Sequence, residues 1–294
     1  VSFIIIFSLI LIAAALFVSY AYFIEPGIIR VINSRIRTGK LKGRYKFLHI
    51  SDLHLYKKMR KQNLEKIKEK LKLWTDWEKF DFIFITGDII DNNSGIELIR
   101  EVIGGLKSRL GIYAVMGNHD YFVYNFLHLF SPFFDFIDRK QTDQRALKKA
   151  LSGAGVRLLI DQAEKIRADG NDLLITGIDS LSIKNKKFPG MNLTGENEFN
   201  IVLSHYPDAI KYYKGRADIM LSGHTHGGQI TFFGHPILIR SSIGKKDSKG
   251  ISAHGNTALY VSKGLGVSRN FPFRFFARPD LNIVEIIGEN NGKI

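Results

Sequence analysis

Five short apolar runs in this chain each empty directly into a polar turn, and that recurrence restricts the fold more than any other feature. Phe47–Ile50 runs into Ser51-Asp52-Leu53-His54, and Phe82–Thr86 into Gly87-Asp88-Ile89-Ile90-Asp91. Ile112–Met116 runs into Gly117-Asn118-His119-Asp120. Ile201–Leu203 ends at Ser204-His205-Tyr206, and Asp218–Leu221 at Ser222-Gly223-His224-Thr225-His226-Gly227-Gly228-Gln229. Apolar runs of this length read as buried strands. Residues 62–80 carry Leu64, Ile67, Leu71 and Trp74 at helical spacing, and 96–106 reads as a second helix. Strand, polar turn and helix therefore recur, which predicts an α/β sheet covered by helices, its polar residues at the strand ends where ligands collect. A helix over 146–151 stops at Gly153, and strands near 157–160, 173–177, 258–262 and 281–287 complete the reading. There is no repeat, no low-complexity tract and no second domain boundary.

The strand ends carry Asp52, His54, Asp88, Asn118, His119, His205, His224 and His226. Taken singly, each has an ordinary explanation: Asp-x-His arises by chance, Gly-Asp is a common turn, and Asn-His-Asp is a polar loop. Jointly they place an oxygen or imidazole ligand after every one of the five strands. Such a donor set suits two metal ions once water or substrate completes each shell. The chain has no cysteine, which excludes disulfides, thiolate ligands and thiol chemistry. His49, His128, His235 and His254 lie outside these blocks and read as structural or solvated, His235 being nearest in sequence to the last block.

In order and block by block, Asp52-x-His54, Gly87-Asp88-x-x-Asp91, Gly117-Asn118-His119-Asp120, His205 and Gly223-His224-x-His226 resemble the calcineurin-like metallophosphoesterases. The resemblance spans about residues 45–287. It implies a four-layer sandwich of two mixed β-sheets flanked by helices, with two divalent metal ions (Mn, Zn or Fe, Mn favoured) at one end. Matched by position, Asp52, His54 and His226 would hold one ion and Asn118, His205 and His224 the other, with the Asp88 carboxylate bridging them. Two ions about 3.5–4 Å apart would make a hydroxide available and clamp both sides of an in-line phosphoryl displacement. His119 would be the catalytic acid or electrostatic stabiliser beside the leaving oxygen, and Asp91 would orient its ring. Two departures stand out. Leu55-Tyr56 follows His54 where many relatives have a glycine, and Asn92-Asn93 follows Asp91 where phosphoprotein phosphatases carry an arginine, which argues against a protein phosphatase.

Val1 to Ile24 contains no charged residue. As a helix it would extend about 36 Å, enough to cross a hydrocarbon core, and it lacks the basic start and short apolar core of a cleaved signal. The reading is a transmembrane helix over 1–24, a basic juxtamembrane linker over 25–44 and the catalytic domain over 45–294. Residues 30–72 hold 15 Lys and Arg against three acids, nearly the whole of the chain's net charge of +14. Beside a membrane span this excess predicts binding to anionic lipid headgroups in preference to nucleic acid. By the positive-inside rule the chain is a single-pass protein of the inner or plasma membrane with its domain in the cytoplasm.

The substrate is less constrained. Residues 121–136 hold eight aromatics, with Phe122, Phe126, Leu129, Phe130 and Phe133 on one helical face that Pro132 would kink. That stripe is either core packing or a cover for acyl chains, which makes Phe122, Phe126 and Phe130 candidate substrate contacts. Phe271-Pro-Phe-Arg-Phe-Phe276 adds a second aromatic cluster. His226-Gly-Gly-Gln229 and Tyr260–Gly266 look like the membrane-associated bacterial branch of the family, which includes enzymes that split UDP-2,3-diacylglucosamine on the lipid A pathway; Gln229 is a further candidate contact. Three functions follow from this reading: hydrolysis of a lipid-linked phosphate such as that one, a phosphodiesterase or phosphomonoesterase for another envelope substrate, or a non-enzymatic lipid-binding module.

Overall fold

Alternation along Phe82-Ile83-Phe84-Ile85 sets the layering. Phe82 and Phe84 are buried between two sheets, and Ile83 and Ile85 are buried beneath helices. A strand apolar on both faces must be covered on both faces. The computed structural model describes residues 2–125, 140–185, 198–237, 239 and 241–288. The chain enters through α1 (Ser2–Ser19), a π turn at Tyr20–Ile24, β1 (Arg30–Thr38) and β2 (Arg44–Ile50). Next come α2 (Lys61–Trp77), β3 (Phe82–Thr86), α3 (Ile99–Ile103) and β4 (Gly111–Val115). A short ribbon, β5 (Phe122–Val123) with β6 (Lys140–Gln141), leads to α4 (Gln144–Gly153), β7 (Val156–Leu158), β8 (Gln162–Ala168) and β9 (Asn171–Ile178). Then follow α5 (Ser180–Lys184), β10 (Phe199–Ser204), α6 (Ile210–Tyr213) and β11 (Ile219–Ser222). The hairpin β12 (Thr231–Phe232) and β13 (His235–Pro236) precedes β14 (Gly250–His254), β15 (Thr257–Val261) and β16 (Asp280–Gly288).

The first sheet has the order β1-β16-β2-β3-β4-β7 and the second β14-β15-β11-β10-β9-β8. Both are mixed: β2, β3, β4 and β7 run parallel, as do β9, β10, β11 and β15, while β16 runs antiparallel to β2, β14 to β15 and β8 to β9. Tyr45, Phe47, Phe82, Phe84 and Tyr113 meet Leu173, Ile175, Phe199, Ile201 and Leu221 across the gap between the sheets. On the outer face of the first sheet, Leu48, Ile50, Ile83 and Ile85 receive Ile67 and Leu71 of α2 and Leu147 and Leu151 of α4. Asp143 caps α4 by accepting the Ala146 N–H at 2.9 Å. Val202, Met220 and Val261 pack with Ile210 and Tyr213 on the outer face of the second sheet. The expected sandwich of two mixed sheets between helices is the observed architecture.

Residues 30–38 are not a linker. They form β1, an edge strand parallel to β16 with Arg30 opposite Asp280. Its alternation is hidden in the sequence because arginines occupy the open face, a common way of blocking an exposed sheet edge. The basic run is correspondingly divided. Arg35 and Arg44 pair with Glu285, and Lys40 pairs with Asp218 at 2.9 Å, all toward the end of the sandwich opposite Arg30. Lys57, Lys58 and Lys61 are exposed at the other end, where Arg60 lies over the rings of Tyr22 and Phe23.

The segment Phe3–Gly27 is long and apolar enough to cross a membrane, and the large side chains of α1 are exposed. Its lower end is docked on the domain: Phe17 meets Phe275 at 4.4 Å between ring centroids, and the Arg274 N–H donates to the Ala21 carbonyl at 2.9 Å.

Candidate metal centre

Parallel strands deliver their following turns to one edge, so the ends of β2, β3, β4, β10 and β11 converge there. Leaving the strands requires abrupt turns. Asp52, His54, Asp88, His224 and His226 all have φ between 46° and 70°. Left-handed backbone costs a non-glycine residue on the order of 1–3 kcal/mol and gathers at functional sites. The crowding is equally severe at two glycines. A methyl group at Gly117 would collide with the Asp88 carboxylate, and one at Gly223 with Ser51 and the Asp52 carboxylate.

Two donor clusters share this edge. Candidate ligand atoms of Asp52, His54 and His226 lie within 4.8 Å of one another, as do those of Asp88, His205 and His224. In the first, His54 Nε2 is 3.1 Å from His226 Nε2, and His226 Nε2 is 3.6 Å from Asp52 Oδ1. In the second, His205 Nε2 lies 3.2 Å from Asn118 Oδ1, 3.2 Å from His224 Nδ1 and 3.3 Å from Asp88 Oδ2. Asp88 Oδ2 is also 3.6 Å from His54 Nε2, so this one carboxylate stands between the clusters.

The tautomers decide whether a cation fits. A carbonyl can only accept, so His205 Nδ1, 2.8 Å from the Thr86 carbonyl, carries the proton and Nε2 is left as a lone pair. His54 Nδ1 lies 3.0 Å from Asp91 Oδ1, which leaves Nε2 in the same state. Lone pairs, carboxylates and an amide oxygen thus face one another at 3.1–3.6 Å. Such a convergence repels itself unless positive charge occupies its centre, which fits divalent ions. Protons can partly substitute. Burial opposes charge on His205, but Asp88 and Asp52 outweigh it and raise its pKa to about 9. Burial also disfavours the Asp88 carboxylate, yet His205 and His119 hold it well below the usual carboxylate range. Burial dominates at Asp52 and raises it.

Around the donors stands a shell that holds them. His119 is placed by its backbone N–H, which donates to Asp88 Oδ1 at 2.8 Å. Its Nδ1 is 3.0 Å from Asp91 Oδ1 but not aligned for a hydrogen bond, and its side chain is 13% exposed where those of His54 and His205 are fully buried. Asp91 therefore serves two imidazoles: it is aligned with His54 and close to His119. Burial works against its charge, and the neighbouring His119 and His54 imidazoles still hold its carboxyl far below the ordinary range. Ser268 donates to it at 3.2 Å, and Arg269 Nε lies 3.5 Å away.

Some site residues were not legible from sequence. Asp120, quoted within a motif but given no role there, accepts the N–H groups of Ile89 (2.8 Å), Ile90 (3.0 Å) and Gly117 (2.8 Å). It ties the Asp88 turn to the Asn118 turn; burial, then the Asp88 charge, push its pKa up to about 7. Arg274, within the aromatic 271–276 cluster, is fully buried. It donates to the carbonyls of Gly266 (2.6 Å), Lys263 (2.8 Å) and Ala277 (2.8 Å), and its Nη2 lies 3.2 Å from His226 Nδ1. No local pattern announces such a residue. Its carbonyl partners and the nearby Asp280, Asp52 and Glu25 carboxylates, brought together by the fold, make burial tolerable.

Of the four expected substrate contacts, two have partners within the fold and two lie outside the described residues. Gln229 donates its amide to the Phe271 carbonyl at 2.7 Å, so it braces the metal loop against the 271–276 segment. Phe122 belongs to β5, not to a helix, and packs against the core because backbone pairing with Gln141 takes precedence over the helical stripe. Phe126 and Phe130 lie outside the described residues. Tyr124 and Tyr206 instead stand beside the site, at 4.4 Å from the His119 ring and 4.3 Å from the His224 ring.

The profile of the calcineurin-like phosphoesterases matches residues 45–228, the segment that supplies every one of these donors. The chain belongs to that family. A metallophosphoesterase of Aquifex aeolicus (strain VF5) is 31% identical over 95% of this chain and 99% of its own length. The phosphodiesterase YaeI of Escherichia coli (strain K12) is 26% identical over 91% and 92%. A transmembrane protein with metallophosphoesterase domain from Danio rerio is 28% identical over 80% of this chain and 52% of that protein. As a member of this family the chain is a metal-dependent phosphoester hydrolase.

Proposed function

We propose that the chain is a membrane-anchored, two-metal phosphohydrolase whose substrate is a lipid-linked phosphate ester or diphosphate. One observation carries this reading: the apolar helix joins the domain at the same end as the metal centre. β1 starts at that end, since Arg30 pairs with Asp280 and β16 runs antiparallel to β2, whose following turn holds Asp52 and His54. A site mounted beside a membrane anchor meets lipid-borne phosphates without their leaving the bilayer surface.

Asp52, His54 and His226 would hold one ion, and Asn118, His205 and His224 the other, with Asp88 shared. Bound there, Mn, Zn or Fe would supply Lewis acidity toward the phosphoryl oxygens and an acidified water. The protein's own contribution is positional. Thr86 and Asp91 fix the His205 and His54 tautomers, and Asp120 locks two ligand turns together. His119, at the rim, would give a proton to the leaving oxygen from Nε2, with Asp91 beside Nδ1 to stabilise the imidazolium. Lys57, Lys58 and Lys61 supply the lipid-facing charge at this end, and the domain is read as cytoplasmic.

UDP-2,3-diacylglucosamine is the most specific candidate. Mn-supported UMP release from it in detergent, beside an Asp88→Asn control, tests the reading. Release that disappears in the control supports it. Cleavage of a soluble aryl phosphodiester without UMP release would discard that substrate. The phosphodiesterase name of the Escherichia coli relative favours this second reading, a phosphodiesterase for another envelope substrate.

A further inference from the structure

Phe232 and Phe233 form the tip of the β12–β13 hairpin, and among the described residues nothing covers them. Phe233 is 94% exposed, Phe276 60%, Ile237 58% and Phe232 56%. Soluble proteins seldom display neighbouring large apolar side chains to this degree unless something covers them. What adjoins them points to the cover. Phe232 lies 6.3 Å from Phe275 and 6.4 Å from Phe233, and Phe275 lies 4.4 Å from both Phe276 and Phe17 of α1. The aromatic series Phe17–Phe275–Phe232–Phe233 therefore runs without a break from the membrane-length helix to the hairpin tip. Phe23 and Ile24, on the turn below α1, are exposed as well.

Charge agrees with a lipid surface. No acidic residue occurs between Gln229 and Lys246, and Lys249 donates to the Gly234 carbonyl at 2.6 Å at the hairpin tip. Lys57, Lys58 and Lys61 are exposed near Arg60, whose Nη1 donates to the Tyr22 carbonyl at 2.6 Å. Aromatics flanked by cations are what the headgroup region takes up.

The hairpin is also fastened to the metal loop. The Thr231 N–H donates to the Phe275 carbonyl at 2.8 Å, and the Phe275 N–H donates to the Gln229 carbonyl at 3.0 Å, three residues beyond His226. We infer that the β12–β13 tip, with Ile237 and Phe276, is a wedge that seats in the interfacial layer of the same membrane α1 enters, and so sets the metal centre at headgroup depth. The inference rests on α1 being a membrane anchor. It adds a second, independent point of contact: α1 alone would tether the domain, whereas the wedge fixes which face lies down.

The absence of cysteine makes the test direct. Single variants Phe233→Cys, Leu11→Cys and Gly39→Cys of the full chain would carry an environment-sensitive fluorophore in phosphatidylethanolamine/phosphatidylglycerol vesicles. Gly39 is exposed, toward the end opposite the metal centre, with nothing near its missing Cβ. Lipids bearing a nitroxide either near the headgroup or near the chain terminus would read depth. The expected result is loss of emission at 233 mainly from the shallow quencher, at a depth of about 5–10 Å, loss at 11 from the deep one, and none at 39. A label at 233 that behaves like the one at 39, while 11 stays deep, overturns the wedge and leaves the anchor. A label at 233 shielded from aqueous iodide yet blind to both lipid quenchers means that a second copy or another protein covers the patch, which also overturns it. No quenching at 11 removes the anchor, and the wedge with it.

Discussion

Asp120→Asn is the sharpest test of how the metal centre is held. The substitution keeps size and shape and changes one atom from acceptor to donor. Oδ1 can still accept from Ile89 and Ile90, but the new NH2 group must face the Gly117 N–H, now 2.8 Å from Oδ2. Leaving that buried donor unpaired costs about 1–3 kcal/mol, and the two remaining bonds lose their charge assistance at roughly 0.5 kcal/mol each. The sum is about 2–4 kcal/mol, which for a domain of this size lowers the melting temperature by roughly 5–15 °C. The same change frees the Asp88 turn from the Asn118 turn, so metal affinity should weaken about 10–100-fold. Thermal melts of the chelated protein in detergent read the first effect, and Mn titration reads the second. A variant that melts within about 1–2 °C of the parent and binds Mn equally well would refute the idea that this carboxylate joins the two ligand turns.

Other expectations follow from the same geometry. His119→Ala should lower kcat by about 10²–10⁴-fold while metal content, read by elemental analysis, stays full. Asp91→Asn should lower both kcat and metal affinity, because Asp91 orients His54 as well as flanking His119; an effect on kcat alone would show that the His54 contact is idle. Arg274→Met should destabilise the chain by about 3–5 kcal/mol, since it strips donors from the carbonyls of Lys263, Gly266 and Ala277 at once, and a melting curve like the parent's would contradict that. Chelation should abolish hydrolysis and lower the melting temperature, because ions that bind only the folded state add RT ln(1 + [L]/Kd) to stability.

The sequence by itself determined the interior strands and the donors at their ends. Phe82–Thr86 and Ile201–Leu203 are apolar on both faces, and a strand buried on both faces announces itself in any order of neighbours. The ligand blocks were equally legible, because each sits within a few residues of the strand that delivers it. The edge strands were not. β1 and β8 carry Arg35 and Arg37, and Lys165 and Arg167, on their open faces, so half of each reads as loop or linker, while β14 exposes Ile251 and turns the polar Ser252 and His254 to its half-buried face, which inverts the expected alternation. Only the tertiary structure could decide what depends on distant partners. Asp91 lies beside both His54 and His119, Asp120 joins two turns, and Arg274 is buried where the carbonyls of Lys263, Gly264, Gly266 and Ala277 converge on it. It also decided that α1 meets the domain at the catalytic edge, and that the basic run divides between two ends. Local pattern records what one segment buries; which segments come to lie side by side is set by sheet order, and strand order leaves no mark on any single stretch of sequence.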